Sequence, residues 1–96
     1  MFARTSTWTG SPEALDAWAD HVTSRVGPMV RGLPGVAGAI FLLDRAGASA
    51  LTLTLWDSEE AALHSDQNAD ASRAATVAAT GVELVSRGRW ELVSRF

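Results

Sequence analysis

The chain orders its elements as strand, helix, strand, strand, helix, strand, and this predicts an α+β, ferredoxin-like βαββαβ fold. Three observations carry the prediction. Runs rich in β-branched, aromatic and leucine residues stand at Phe2 to Thr9, Val36 to Asp44, Ser49 to Trp56 and Val82 to Phe96. Two acidic, capped helix openings, "GSPEAL" and "DSEEAA", follow the first and third of these runs. The segments "TWTGSPEALDAW" and "LWDSEEAALHS" also resemble each other, as halves related by a pseudo-twofold would. The fold implied is a four-stranded antiparallel sheet with two helices on one face. Residues 1–96 form one domain of it.

"FARTSTWT" ends at Gly10. Its alternation sets Phe2, Arg4, Ser6 and Trp8 on one face and Ala3, Thr5 and Thr7 on the other. Ser11 is then a good N-cap, Pro12 suits the first helical position, and Glu13 meets the positive end of the helix dipole. Leu15, Trp18, Ala19, Val22, Val26, Met29, Val30 and Leu33 recur at threes and fours and make one apolar stripe, with His21 at its boundary. Pro28 has no backbone N–H, so Gly27-Pro28 should kink or restart the helix before "LPG" ends it.

"VAGAIFLLD" is apolar at nearly every position and predicts a strand buried on both faces. "DRAGA" is a turn short enough to demand an antiparallel hairpin with "SALTLTLW". Asp57 or Ser58 caps the second helix. "HSDQNAD", His64 to Asp70, reads as a polar break, with helix resuming at Ala71 and stopping at Gly81. The last run is too long for one flat strand, and Gly88 is the expected bulge or bend.

At 47% hydrophobic and 20% charged, the chain is apolar for a small domain, which buries only roughly two-thirds of its unfolded surface. The surplus predicts an interface and a homodimer. A net charge of −3 argues against nucleic acid, because Arg87, Arg89 and Arg95 interleave with Glu83 and Glu91. The absence of cysteine excludes a disulfide, a thiolate nucleophile and a cysteine metal site. No apolar run approaches the ~20 residues of a membrane helix. "MFARTSTW" lacks a signal peptide's hydrophobic core, so a cytoplasmic location is expected.

The candidate site follows from the strand faces. The first and third strands are expected as central, parallel neighbours, with Leu51, Leu53 and Leu55 turned to the helices. Arg4, Ser6, Trp8, Thr52, Thr54 and Trp56 would then line the opposite face, joined by Trp90. A bare aromatic face of that size is avoided in monomers, so it should meet a second sheet around a pocket closed by a partner subunit. Arg4 needs an acceptor if buried, and either Glu83 or Glu91 on the last strand, or an anionic ligand, would supply one. His64 is a weaker candidate base, set against a solvated helix histidine. The two histidines have no ligand spacing, and Asp66, Asn68 and Asp70 lack the glycine and distal glutamate of a calcium loop; no metal is expected.

At "MFARTSTWTGSPEALDAW", "LPGVAGAIFLLDR" and "LTLWDSEEAALHS" the chain resembles the antibiotic biosynthesis monooxygenase family of the dimeric α/β-barrel superfamily. The resemblance implies a homodimer whose two sheets form a barrel, each subunit with a cavity between its sheet and helices or at the barrel mouth. Some relatives oxidise aromatic polyketide anthrones to quinones with molecular oxygen and neither metal nor flavin. It therefore implies a cofactor-free monooxygenase of a small aromatic metabolite. The alternative is a non-catalytic small-ligand-binding or structural barrel protein. No tyrosine is present as a proton relay. The Asn, Trp and His trio of the haem-degrading branch has no match either, so that activity is not transferred.

Overall fold

The computed structural model describes residues 1–96. The elements run β1 (Phe2–Thr9), α1 (Pro12–His21), a π-helical turn (Val22–Val26), α2 (Gly27–Arg31), β2 (Val36–Asp44), β3 (Ser49–Trp56), α3 (Glu59–His64), α4 (Asp66–Thr80) and β4 (Glu83–Glu91). The sheet order is β2-β3-β1-β4. All three pairings are antiparallel, so the central strands β1 and β3 are antiparallel neighbours, not parallel ones. An even number of chain reversals separates strands that run alike. Here the helical crossover and the tight hairpin together leave β3 opposed to β1.

Ser11 caps α1 by accepting a bond from the Ala14 N–H (3.1 Å). The expected kink is spread over the π-helical turn, five residues that all stay right-handed up to Gly27. Pro28 cannot donate to the carbonyl four residues back and its ring crowds that oxygen. The wider turn just ahead of it relieves the crowding, and the Gly27 N–H reaches back five residues to the Val22 carbonyl. The predicted break in the second helix shrinks to one residue. Ser65 ends α3 and α4 begins at Asp66, so Asp66 to Asp70 are helical. Gly81 closes α4 in the left-handed region (φ 82°), as its position predicted.

The helix-covered core gathers Trp8, Leu15, Trp18, Val22, Val26, Val30, Ala50 and Val82. The leucine face and the tryptophan face of the sheet are therefore the reverse of the sequence expectation. Trp8 (3% exposed) and Trp56 (1%) lie under the helices. The outer face carries Leu51 and Leu53, with Ile40 paired to Leu53 and Leu42 to Leu51. The reason is complementarity of size. The inward side chains of α4 are small, Ala69, Ser72 and Thr76, and only bulky sheet residues can fill the space beneath them.

β2 is half-buried rather than covered on both faces. Phe41 and Leu43 pack inward, while Ile40 (48%) and Leu42 (52%) face out. The irregularity in β4 also moves. Register shifts between Thr7 and Trp8, opposite Ser86 and Leu84, and Gly88 stays in regular pairing with Thr5. Gly88 instead makes room for the Trp90 indole, which crosses it and donates to Thr5 Oγ1 (2.8 Å). Trp90 thus belongs to the outer face, away from Trp8 and Trp56.

Candidate functional site

A cavity of about 60 Å³ lies between the sheet and the helices. Its floor is Arg4, Ser6 and Trp8 of β1 with Thr52, Thr54 and Trp56 of β3. These are the six residues whose strand parity put them on one face. They meet here as expected, but the chain's own helices close the cavity, not a partner subunit. The walls are Val22, Val26, Met29 and Val30 on one side and Ser65, Asn68, Ala69, Ser72, Arg73 and Thr76 on the other.

The floor is held rigid by its own polar atoms. The Trp56 Nε1–H donates to Thr54 Oγ1 (2.9 Å), and the Trp8 Nε1–H donates to Thr52 Oγ1 (3.1 Å). The indole N–H groups of Trp8 and Trp56 are thereby satisfied within the sheet, and both rings are fixed in orientation. The alternating Thr and Trp of the third strand serve one purpose: the threonines anchor the tryptophans that wall the cavity.

Arg4 is 8% exposed and reaches up to the α3–α4 junction. Its Nη1 donates to Ser65 Oγ (2.5 Å), and its Nη2 donates to the Ala62 carbonyl and to Asp66 Oδ1. Its guanidinium carbon lies 5.6 Å from the centroid of the Trp56 ring, a cation–π distance. The acceptor is therefore Asp66 of α4. Glu83 and Glu91 are not its partners; β4 places Arg89 directly beside it. Burial pushes the Arg4 pKa down, Asp66 pulls it back up, and Arg73 and Arg89 push it down again. The group starts so high that it stays charged at any working pH.

His64 does not enter the cavity. Its side chain is 80% exposed and faces Glu60 one turn back, at 3.8 Å. No cluster of three or more His, Asp or Glu side chains comes together to suit a metal ion. No helix is long and apolar enough to cross a membrane.

Several lining residues went unnoticed in the sequence: Ser65, Asn68, Ser72 and Arg73. Their signal was present as helical spacing. Ser65, Asn68, Ser72 and Thr76 recur at threes and fours and form a polar stripe on the face of α4 that looks inward. The chemistry of the lining is one-sided. It offers two guanidiniums, several hydroxyls and an amide, and no carboxylate or imidazole. Such a cavity can bind and stabilise an anion but cannot itself take a proton from carbon at neutral pH.

An α+β sandwich of this topology, with a cavity between sheet and helices, defines the class. The model of the antibiotic biosynthesis monooxygenase family matches residues 1–77, and the chain belongs to that family. No curated protein matches it. Solved structures do. A protein of Deinococcus radiodurans assigned to the antibiotic biosynthesis monooxygenases superposes with a TM-score of 0.78 at 15% identity, covering 100% of this chain and 96% of its own. The ActVA-Orf6 monooxygenase of Streptomyces coelicolor, solved with the ligand nanaomycin D, gives 0.74 at 17% identity over 99% and 89%. SnoaB of Streptomyces nogalater, a cofactor-independent oxygenase solved as a mutant, gives 0.73 at 14% over 98% and 94%. At these identities the structural likeness establishes the fold.

Proposed function

We propose that this chain is a homodimeric, cofactor-independent monooxygenase of a small aromatic metabolite, with Arg4, Ser6, Trp8, Thr52, Thr54 and Trp56 as its substrate pocket. The observation that carries the proposal is the lining: flat apolar walls at Trp8 and Trp56, cations at Arg4 and Arg73, and no base. That combination suits a substrate acidic enough to ionise without help. Its carbanion, held beside the guanidiniums, donates electrons to molecular oxygen. For a ring methylene the balance is CH2 plus O2 giving C=O plus water, with the substrate as the only reductant. Membership of the family and the oxygenase neighbours support the reaction class.

The competing reading is a non-catalytic barrel, and one observation favours it. The cavity holds about 60 Å³, well below the ~300–1,000 Å³ of common ligand sites. Entry of a ring system therefore requires the walls that carry Met29 and Asn68 to move apart. Titrating 2-naphthol while following tryptophan fluorescence separates the readings, because two of the four tryptophans wall the cavity. Saturable quenching that Val26→Phe abolishes, with the fold intact by circular dichroism, is the expected result. Oxygen uptake with an anthrone above the buffer rate, lost in the same variant, extends binding to catalysis. No quenching and no uptake would leave the tryptophans as packing.

A further inference from the structure

Beside the aromatic cavity lies a second, wholly polar basin of about 370 Å³, lined by Arg4, Arg73, Arg87 and Arg89 with Asp66 and Asp70. Arg4 and Arg73 line both spaces, so the two adjoin. The basin is built by pairing and periodicity. Arg87 and Arg89 of β4 share a face of the sheet with Arg4 of β1, because Ser6 pairs with Arg87 and Arg4 with Arg89. Asp66, Asp70 and Arg73 follow at four and three along α4, above them.

The charges do not cancel. Four guanidiniums face two carboxylates, a surplus of two positive charges in a chain whose net charge is −3. Half of the chain's eight basic residues converge here. Each carboxylate is shared. Asp66 serves Arg4 and Arg89 (2.9 Å), and Asp70 serves Arg73 and Arg87 (3.2 Å). A clamp between β4 and α4 would need only one arginine per aspartate. Burial is the main cause that pushes the Arg4 pKa down, and the neighbouring positive charges of Arg73 and Arg89 add to it. Guanidinium forks left with spare donors suit a planar oxyanion, which accepts two parallel bonds.

We infer that the substrate is an aromatic acid: its ring enters the apolar cavity and its carboxylate is held in the basin by Arg73, Arg87 and Arg89. This rests on the cavity assignment above and adds the class of substrate. Arg4 is the less available of the two shared guanidiniums for the carboxylate, since three of its five N–H donors already serve Ser65, Ala62 and Asp66.

The test compares 2-naphthol with 6-hydroxy-2-naphthoate, the same ring and hydroxyl with a carboxylate added. The naphthoate should bind about tenfold more tightly at low salt, the gain of one charge-assisted bidentate contact. That advantage should shrink as salt rises. In the double variant Arg87→Gln, Arg89→Gln the advantage should vanish while naphthol binding stays unchanged. Arg87 is 64% exposed and Arg89 40%, so the fold should tolerate both changes, and a thermal melt checks it. The arginine Nε–H resonances give a direct second readout and should shift on adding naphthoate. Naphthol bound with no gain from the carboxylate would overturn the basin and keep the cavity. Naphthoate bound with shifted arginine signals, but no binding of naphthol, would keep the basin and sink the cavity. Binding of neither overturns both.

Discussion

Arg4 shows how much one side chain can organise in a fold of this size. It stands mid-strand, crosses the cavity edge and satisfies a hydroxyl, a carbonyl and a carboxylate at a helix junction. Replacing it with Met keeps the unbranched apolar stem and removes all three bonds. Two features moderate the loss: Asp66 is 42% exposed and keeps Arg89, and the Ala62 carbonyl keeps the Ser65 hydroxyl (2.8 Å). Arg4→Met should therefore cost about 2 kcal/mol, nearer a charged hydrogen bond than a fully buried ion pair. For a domain of this length that lowers the melting temperature by about 8–16 °C. An unchanged melt would show that Arg4 is not tied to the junction. The same residue also shows the limit of strand parity. Parity placed Arg4 with Trp8, Thr54 and Trp56, but the choice of acceptor among eleven acidic residues depended on where α4 crosses the sheet.

Among the elements, the two helical segments that cover the sheet are each interrupted where they meet the cavity. The π-helical turn contributes Val22 and Val26 to one wall, and Ser65 breaks the other between α3 and α4. Both interruptions were signalled, by Gly27-Pro28 and by the polar stretch after His64. Their extent was not, because it is set by packing against the sheet rather than by propensity. Two glycines test the connections. Gly81 and Gly35 both hold positive φ, 82° and 76°. A Cβ on Gly81 would meet only Ala14 at an ordinary 3.9 Å, whereas one on Gly35 would run into the Ala61 side chain. Gly81→Ala should cost about 1 kcal/mol, the left-handed penalty alone. Gly35→Ala should cost clearly more in the same denaturation series. Equal costs would mean that the α2–β2 loop yields to the contact.

In the molecule as a whole, the sheet has one face too many. Ile40, Leu42, Leu51 and Leu53 form adjacent rows, with Trp90 laid over Thr5 at the β4 side. An aliphatic face of this kind is the sort that proteins cover, and in the proposed homodimer a second copy of the sheet would cover it. Sedimentation at micromolar concentration should give twice 10.2 kDa. Ile40→Lys, at a position 48% exposed in the single chain, should shift the particle to one chain with little loss of secondary structure. A wild-type protein that sediments as one chain would remove the homodimer from the proposal.

The local elements and the composition of each strand face were legible in the sequence alone. Ser11 and Ser58 cap the helices, Gly81 ends α4, and the period-two alternation of "TLTLW" sorts leucine from threonine and tryptophan. These are short-range effects of backbone sterics and hydrogen bonding, and they survive without the rest of the chain. Which face the helices would cover was decided only in three dimensions. Leucine and tryptophan are both apolar, and a rule that buries apolar residues cannot rank them. The small inward residues of α4 can, because a core must be filled to crystal-like density, and only Trp8 and Trp56 have the volume to meet Ala69, Ser72 and Thr76. The polar basin was hidden for the same reason. Arg4, Asp66, Arg73 and Arg87 lie far apart along the chain, and only the pairing of β4 with β1 and the crossing of α4 bring their charges within reach of one another.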